Sequence, residues 1–276
     1  MPTKKFTIPV NQGLVQKNKV VNDLENVVSA IEFDINKSFL MKGDLAVLDI
    51  IANNVWERPI YFAVTVRNES LQGLDNYLQM EGLGLKIIPV RVGQDQLVPS
   101  VLGKGRVDAD KVYDNVMNKF KWGNFDKYEL FVDKSYAPSV QSHRFMLLRA
   151  VQEFLRKGEN EKAIALCDKY FEAFPHMNFP YDYNSFYFIQ SLIQAGATDK
   201  AKEHALILAR ESAEYLNFYQ SVDPALLQSD AGFKRDFGLT SQAKNSIEGM
   251  AKELNDQAFT DQLNQIFSNF GQPVLN

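Results

Sequence analysis

The chain has 276 residues, of which 45% are hydrophobic and 23% charged, an ordinary globular composition that excludes disorder and suits one large or two moderate domains. A net charge of −4 gives no basic footprint for nucleic acid or an anionic lipid surface, and the single cysteine, Cys167, excludes an intramolecular disulfide. No apolar run approaches the ~20 residues that span a bilayer, and Met1 to Val10 lack the apolar core of a secretion signal, so the chain alone reads as a soluble piece.

Residues 1–17 read as extended and polar, with Pro2 and Pro9 opposing helix. A short helix is expected over Asn22–Ala30. Ile31-Glu-Phe-Asp-Ile35 then alternates as a half-buried strand does. Gly43-Asp44 offers a helix N-cap, and Leu45, Leu48 and Ile51 fall on one apolar face. Asn53-Asn54 suits the left-handed residue that often ends a helix. Ile60 to Val66 is apolar without alternation, the pattern of a strand covered on both faces. Strand, helix and strand in this order predict a βαβ unit with a right-handed crossover. Lys86 to Val92 predicts a third strand, with Pro89 placing it at a sheet edge. Asp108 is expected to cap a helix bearing Val112, Val116 and Phe120.

Lys121 to Pro138 loses periodicity, which sets the expected domain boundary: an α/β domain over 1–137 and a helical domain over 138–276. Beyond it, helix patterns run to the C-terminus. Phe145, Leu148, Val151 and Leu155 mark one helix, Gly158 a turn, and Ala163, Leu166, Cys167, Tyr170 and Phe174 the next, closed by Pro175. The pattern recurs with Gly196 in place of Gly158 and Ala201 in place of Ala163, an offset of 196 − 158 = 38. The first unit resembles a tetratricopeptide repeat at Val151, Phe154, Gly158, Ala163, Tyr170 and Pro175. Gln242 to Phe270 is expected to cap the stack. The fold class is therefore an α+β or α/β N-terminal segment, a small mixed sheet with a βαβ unit, followed by an all-α tetratricopeptide-like repeat segment.

Chemistry-bearing patterns are sparse. His143, His176 and His204 have no metal-ligand spacing, and no nucleophile–base motif occurs. Leu102-Gly-Lys-Gly-Arg106 lacks the spacing of a phosphate loop and reads as a turn before the Asp108 helix. Asp44, Asp49 and Glu57 could line a cleft, although a solvated helix face explains them more simply. The aromatic run Phe179–Phe188 reads as interhelical packing, or as the concave partner face of a helical repeat. The run Phe120–Phe125 reads as a domain-joining contact. No catalytic residue, metal site or cofactor is implied.

Four segments carry a family resemblance: Phe6-Thr-Ile-Pro-Val10, Leu45 through Trp56-Glu-Arg-Pro-Ile-Tyr-Phe-Ala63, Tyr77-Leu-Gln-Met-Glu-Gly-Leu83 and Tyr113 through Gly123. They resemble a large bacterial family of multi-pass membrane proteins of unknown function, abundant in Bacteroidetes and similar to protein O-mannosyltransferases. In that family a soluble region follows the membrane helices and ends in tetratricopeptide-like repeats. The resemblance implies a non-catalytic periplasmic accessory domain of a membrane-embedded glycosyltransferase. Its partners would be the transmembrane part of the same parent and a protein or glycan acceptor, with no nucleic acid and no membrane insertion of its own. Catalytic groups would lie in the missing membrane part, and Met1 would be an introduced start. A stand-alone tetratricopeptide-like peptide-binding scaffold is the alternative. Residues read as docking or partner-binding are Trp56, Glu57, Arg58, Tyr181, Tyr183 and Tyr187, with Trp56 expected buried and Arg58 paired to an acid.

Overall fold

The computed structural model describes residues 4–93 and 103–268. Leu102 and Phe270, at the limits of two segments read above, lie outside them. The chain divides into two compact units, residues 1–120 with 135–153, and residues 121–134 with 154–276. Small mixed sheets occupy the N-terminal part, and helices dominate the C-terminal part.

In the first unit, β1 (Lys5–Pro9) pairs antiparallel with β2 (Ala30–Asp34), Phe6 facing Phe33 across the ladder. Ile31, Phe33 and Ile35 are buried while Glu32 and Asp34 are exposed, as alternation requires. The predicted helix over Asn22–Ala30 shrinks to a 3₁₀ turn, Leu24–Asn26, because Ala30 already belongs to β2. A second sheet has the order β3 (Tyr61–Ala63), β5 (Gly84–Ile87), β4 (Leu78–Met80), β6 (Arg106–Val107). β3 and β4 both run antiparallel to β5, and β6 runs parallel to β4.

This topology corrects three expectations. β2, α2 (Lys42–Asn54) and β3 follow one another in the chain, but β2 and β3 lie in different sheets, so no βαβ crossover joins them. Ile60–Val66 is not a strand covered on both faces: only Tyr61–Ala63 pairs, at a sheet edge, and Tyr61 and Ala63 are exposed. The run at Lys86 is central rather than marginal: Gly84–Ile87 lies between β3 and β4, and beyond it Pro89 keeps its carbonyl for the Val28 N–H while Val90 bridges Val27. Apolar content alone does not separate a covered strand from an edge.

At the start of α2, Asp44 accepts the Met41 N–H (3.0 Å) from the third helical position, so it caps from inside the helix rather than preceding it. The helix ends in a type II turn, with Val55 at φ −59, ψ 137 and Trp56 at φ +74. The left-handed residue is thus Trp56, not Asn53 or Asn54. Of the predicted apolar face only Ile51 is fully buried; Leu48 is half-buried and Leu45 53% exposed, and outside that face Ile50, Phe39 and Met41 are 52%, 71% and 67% exposed. Asp108 does cap α3 (Ala109–Asp114), accepting the Lys111 N–H, and one π-helical turn, Asn115–Lys119, follows.

α4 (Ala137–Lys157) passes from the first unit into the second. The second unit continues with α5 (Asn160–Ala173), α6 (Tyr183–Gln194), α7 (Thr198–Ser221), α8 (Pro224–Ser229), α9 (Ala231–Leu254) and α10 (Gln257–Ser268). The turns 38 residues apart close identically. Glu159 N–H bonds Phe154 O (2.9 Å) as Ala197 N–H bonds Leu192 O (2.8 Å), while Gly158 and Gly196 sit at φ +75 and +88. This is the Schellman closure, which needs a left-handed residue and hence glycine. Ala201, Ala205, Leu208, Ala209 and Ser212 give α7 a small-residue buried face against α6 and α9. Tyr170 stacks on Phe188 (3.7 Å between centroids), and Cys167 is fully buried, its thiol pKa pushed up by that burial.

The segment before α4 is tied into the second unit by Asn178. Its Oδ1 accepts Leu130 N–H (2.6 Å), and its Nδ2 donates to Phe125 O (2.6 Å) and Tyr128 O (2.7 Å). Trp122 and Phe125 meet Phe174 and Phe179 edge-on, which makes the Phe120–Phe125 run a packing element. Asn178→Ala is expected to lose about 2 kcal/mol, because three polar backbone groups lose their partner. Faster hydrogen exchange at Leu130, with α9 unchanged, is the check.

Candidate functional site

The docking residues read from the sequence fall in both units, Trp56, Glu57 and Arg58 in the first and Tyr181, Tyr183 and Tyr187 in the second. The Trp56 indole is buried; its Nε1–H donates to Pro9 O (3.0 Å), and its carbonyl accepts from Asn18 Nδ2 (2.6 Å). A bulky residue at positive φ is strained, and these contacts hold it there. Glu57 and Arg58 are exposed, and among the described residues Arg58 has no acid paired to it, which corrects the expected ion pair. Of the acids read as possible cleft residues, Asp49 and Glu57 are exposed and Asp44 is half-buried. Asp44 binds Lys37 Nζ (2.6 Å) and Gln72 Nε2 (2.8 Å), and the Lys37 bond first, then the Met41 N–H, lowers its pKa to about 2.

Tyr181 is buried, Tyr183 half-buried, and Tyr187 exposed with its ring edge-on to Tyr183 at 5.3 Å. Tyr183 Oη accepts from Gln242 Nε2 on α9 (2.9 Å). Tyr181 joins a cluster on α7: its backbone N–H donates to Glu211, and its hydroxyl lies 3.1 Å from His204 Nδ1, which stacks on Phe171. Burial lowers the His204 pKa to about 4 and raises that of Glu211 to about 8, with Glu214 and Asp182 adding to the latter.

Between about pH 4.5 and 8 folded Glu211 holds a proton that the unfolded chain releases, so stability falls as pH rises. Between about pH 4 and 6.5 unfolded His204 binds a proton that the folded form refuses, so stability rises with pH. The two oppose each other up to about pH 6.5, leaving a net fall from there to pH 8. Trp122 fluorescence in a Trp56→Phe background should report this fall, and Glu211→Gln should flatten it.

Two further features share the four-stranded sheet of the first unit. On one face, the register aligns Tyr61, Lys86, Gln79 and Arg106 in a single row across β3, β5, β4 and β6. Glu81, in the β4–β5 turn, ties the row together. Its Oε2 accepts from Tyr61 Oη (2.6 Å) and Lys111 Nζ (2.8 Å); its Oε1 accepts from Gln79 Nε2 (2.9 Å) and lies 3.5 Å from Lys86 Nζ. Lys86 Nζ also donates to Val20 O (2.7 Å), and Arg106 forms a two-bond pair with Asp23 (2.6 and 2.7 Å). Burial raises the Glu81 pKa, but Lys111, Tyr61, Lys86 and Gln79 together outweigh it and hold the group below its usual range. Burial lowers the Lys86 pKa against the pull of Glu81. Every lone pair of Glu81 is engaged, and with Asp108, whose carboxylate lies 3.4 Å from Gln79 Nε2, three carboxylates stand with three cations, so the network braces the sheet and has no free base to offer. Three segments that carry the resemblance meet here: Tyr61 from the first long block, Gln79 and Glu81 from the second, and Asn115, whose Nδ2 donates to Glu81 O (2.8 Å).

The other face borders a cavity of about 160 Å³. Val66, Leu71, Met80, Leu85, Phe145 and Met146 supply most of its apolar wall, and Asn68, Lys104, Ser142 and Arg149 its polar one. Arg149, 3% exposed, donates from Nη1 to Lys104 O (3.0 Å) and Met80 Sδ (3.6 Å) and from Nη2 to Gly105 O (2.6 Å). Its Nε is buried without a hydrogen-bond partner, and no carboxylate pairs with it among the described residues. Burial alone lowers its pKa to about 10, so it remains a cation at neutral pH. The turn Gly103–Arg106 is the turn expected before α3, with Gly103 and Gly105 at φ +111 and +73. Neither Glu81 nor Arg149 was singled out from the sequence. Their signal is a lone charge beside or inside an apolar run, Leu78-Gln-Met-Glu81 and Phe145-Met-Leu-Leu-Arg-Ala-Val151.

Among the described residues no group of His, Cys, Asp and Glu is placed to hold a metal, and no helix is long and apolar enough to cross a membrane. Residues 1–111 match the model of the family described as TMEM260-associated domain 2. No curated protein matches the chain, and no solved structure does.

Proposed function

We propose that the chain is a non-catalytic, extracytoplasmic accessory domain of a membrane-embedded glycosyltransferase-like protein, holding an acceptor or partner near the membrane part. The observation that carries this reading is the match of residues 1–111 to a TMEM260-associated domain. Two structural features support it. The buried ionisable network of the first unit is charge-compensated, as a brace is and an active site is not. Phe39, Met41, Leu45 and Ile50 stand exposed on and before α2, apolar surface of the kind that partners cover. On this reading α2 docks on the transmembrane part of the parent.

The test is in the source locus and its membranes. The reading frame upstream of Met1 should continue and encode ~10 or more apolar spans. In the full-length parent, Leu45→Glu with Ile50→Glu should weaken cross-linking between this domain and the spans while leaving the domain folded. A stop codon upstream, or unchanged cross-linking, overturns the proposal. The alternative, a tetratricopeptide-like peptide-binding scaffold, rests on the identical closure of the turns at Gly158 and Gly196 and on exposed Tyr187. It requires a closed reading frame before Met1.

A further inference from the structure

We infer that the cavity beside Arg149 is a binding site for a small monoanionic carboxylate with a short apolar body. A buried guanidinium is costly to desolvate, and folded proteins offset that cost with an anion. Here none of the described residues supplies one. Lys104, the other cation on the wall, is already paired with Asp75 at 3.3 Å. The carbonyls of Lys104 and Gly105 do not explain the charge, since a neutral amide would brace them without it. Of the five N–H groups on a guanidinium, three are used, leaving Nε–H and one on Nη2. These lie on the side edge of the fork, the edge that receives a carboxylate with two parallel bonds; Nε is covered in this structure, so a ligand in the cavity reaches both only by displacing that cover.

The walls select the ligand further. Leu71, Leu85, Phe145 and Met146 are apolar, Asn68 and Ser142 are neutral, and Lys104 is paired with Asp75, so a dianionic phosphate would meet one uncompensated cation and remain half-compensated. A carboxylate balances the single cation. A cavity of about this size holds a benzene-sized body, which limits the apolar part to a few carbons. A free short-chain acid and the C-terminal carboxylate of a peptide ending in a small apolar residue share this chemistry.

The experiment titrates the whole chain with isovalerate, with its neutral analogue isovaleramide, and with the tripeptide Gly-Gly-Val as free acid and as amide, following heat and chemical shifts of unit-one amides. The expected result is binding of at least one acid with its amide at least about tenfold weaker. Preference between isovalerate and the tripeptide then identifies the source. Arg149→Met should abolish acid binding. If that variant does not fold, the acid–amide difference in the wild-type chain decides alone. Equal binding of acid and amide, no binding of either acid up to millimolar concentrations, or full binding by folded Arg149→Met overturns the inference.

Discussion

Glu81→Gln is expected to destabilise the first unit by about 4 kcal/mol, the cost of stranding a buried charge whose partner is removed. The substitution keeps the shape of the side chain and its contact with Gln79, but leaves Lys86 in a wall-to-wall buried position with only Val20 O and a neutral amide for company. Lys111 loses its partner too, though it reaches solvent and its share is small. Denaturant unfolding followed by Trp56 fluorescence measures the loss. A double-mutant cycle sharpens it: Glu81→Gln with Lys86→Met removes the stranded charge, so the pair should be more stable than Glu81→Gln alone. The pH dependence has a definite sign. Because the folded Glu81 pKa lies below its unfolded value near 4.5, its contribution is complete above that pH and is lost as pH falls through the folded value. The variant should therefore lose less stability than the wild type on acidification. A loss below about 1 kcal/mol at pH 7 would falsify the description of the network as a charge-matched brace.

The parts of the fold legible in the sequence were those that local chemistry dictates. Gly158 and Gly196 marked their turns because only glycine adopts the left-handed closure there without strain, and Asp108 marked α3 because its side chain fits a helix start. The α5 and α6 stripes were readable for the same reason, since one helix face is enough to specify them. What failed was non-local. Ile60–Val66 and Lys86–Val92 both read as strands, but which of them is central depends on what pairs alongside, and that information sits in Leu78–Met80. The turn at Trp56 shows the same limit. Trp56 was expected to be buried and is, but nothing local showed that its neighbours would turn outward without an acid for Arg58. Glu81 and Arg149 lay hidden because a charge in an apolar run means one thing when solvated and another when enclosed, and only the assembled sheet decides which. That sheet carries a compensated row on one face and, on the other, a cation that no carboxylate among the described residues offsets.

Gly105→Ala should cost about 3 kcal/mol and disturb both faces of the sheet through one methyl group. A Cβ at this position would lie 2.3 Å from Leu78 O and 2.8 Å from Leu78 Cβ, at φ +73. Leu78 is in the middle of the sheet and cannot retreat, so β6 must. Moving β6 lifts Arg106 from Gln79 and Asp23 on one face, and draws the Gly105 carbonyl from Arg149 Nη2 on the other. Gly158→Ala supplies the control. Its φ is almost the same, +75, but a Cβ there meets nothing within 4 Å, so it should cost only the conformational penalty of about 1 kcal/mol. The difference, about 2 kcal/mol, isolates the collision with β4 from the dihedral strain. Equal losses for the two variants would mean that β6 yields freely and that Arg149 is not held by the turn. The larger loss in Gly105→Ala, with carboxylate binding weakened in that variant and not in Gly158→Ala, is the outcome expected if the glycine turn, the row of paired charges and the cavity cation are parts of one rigid sheet.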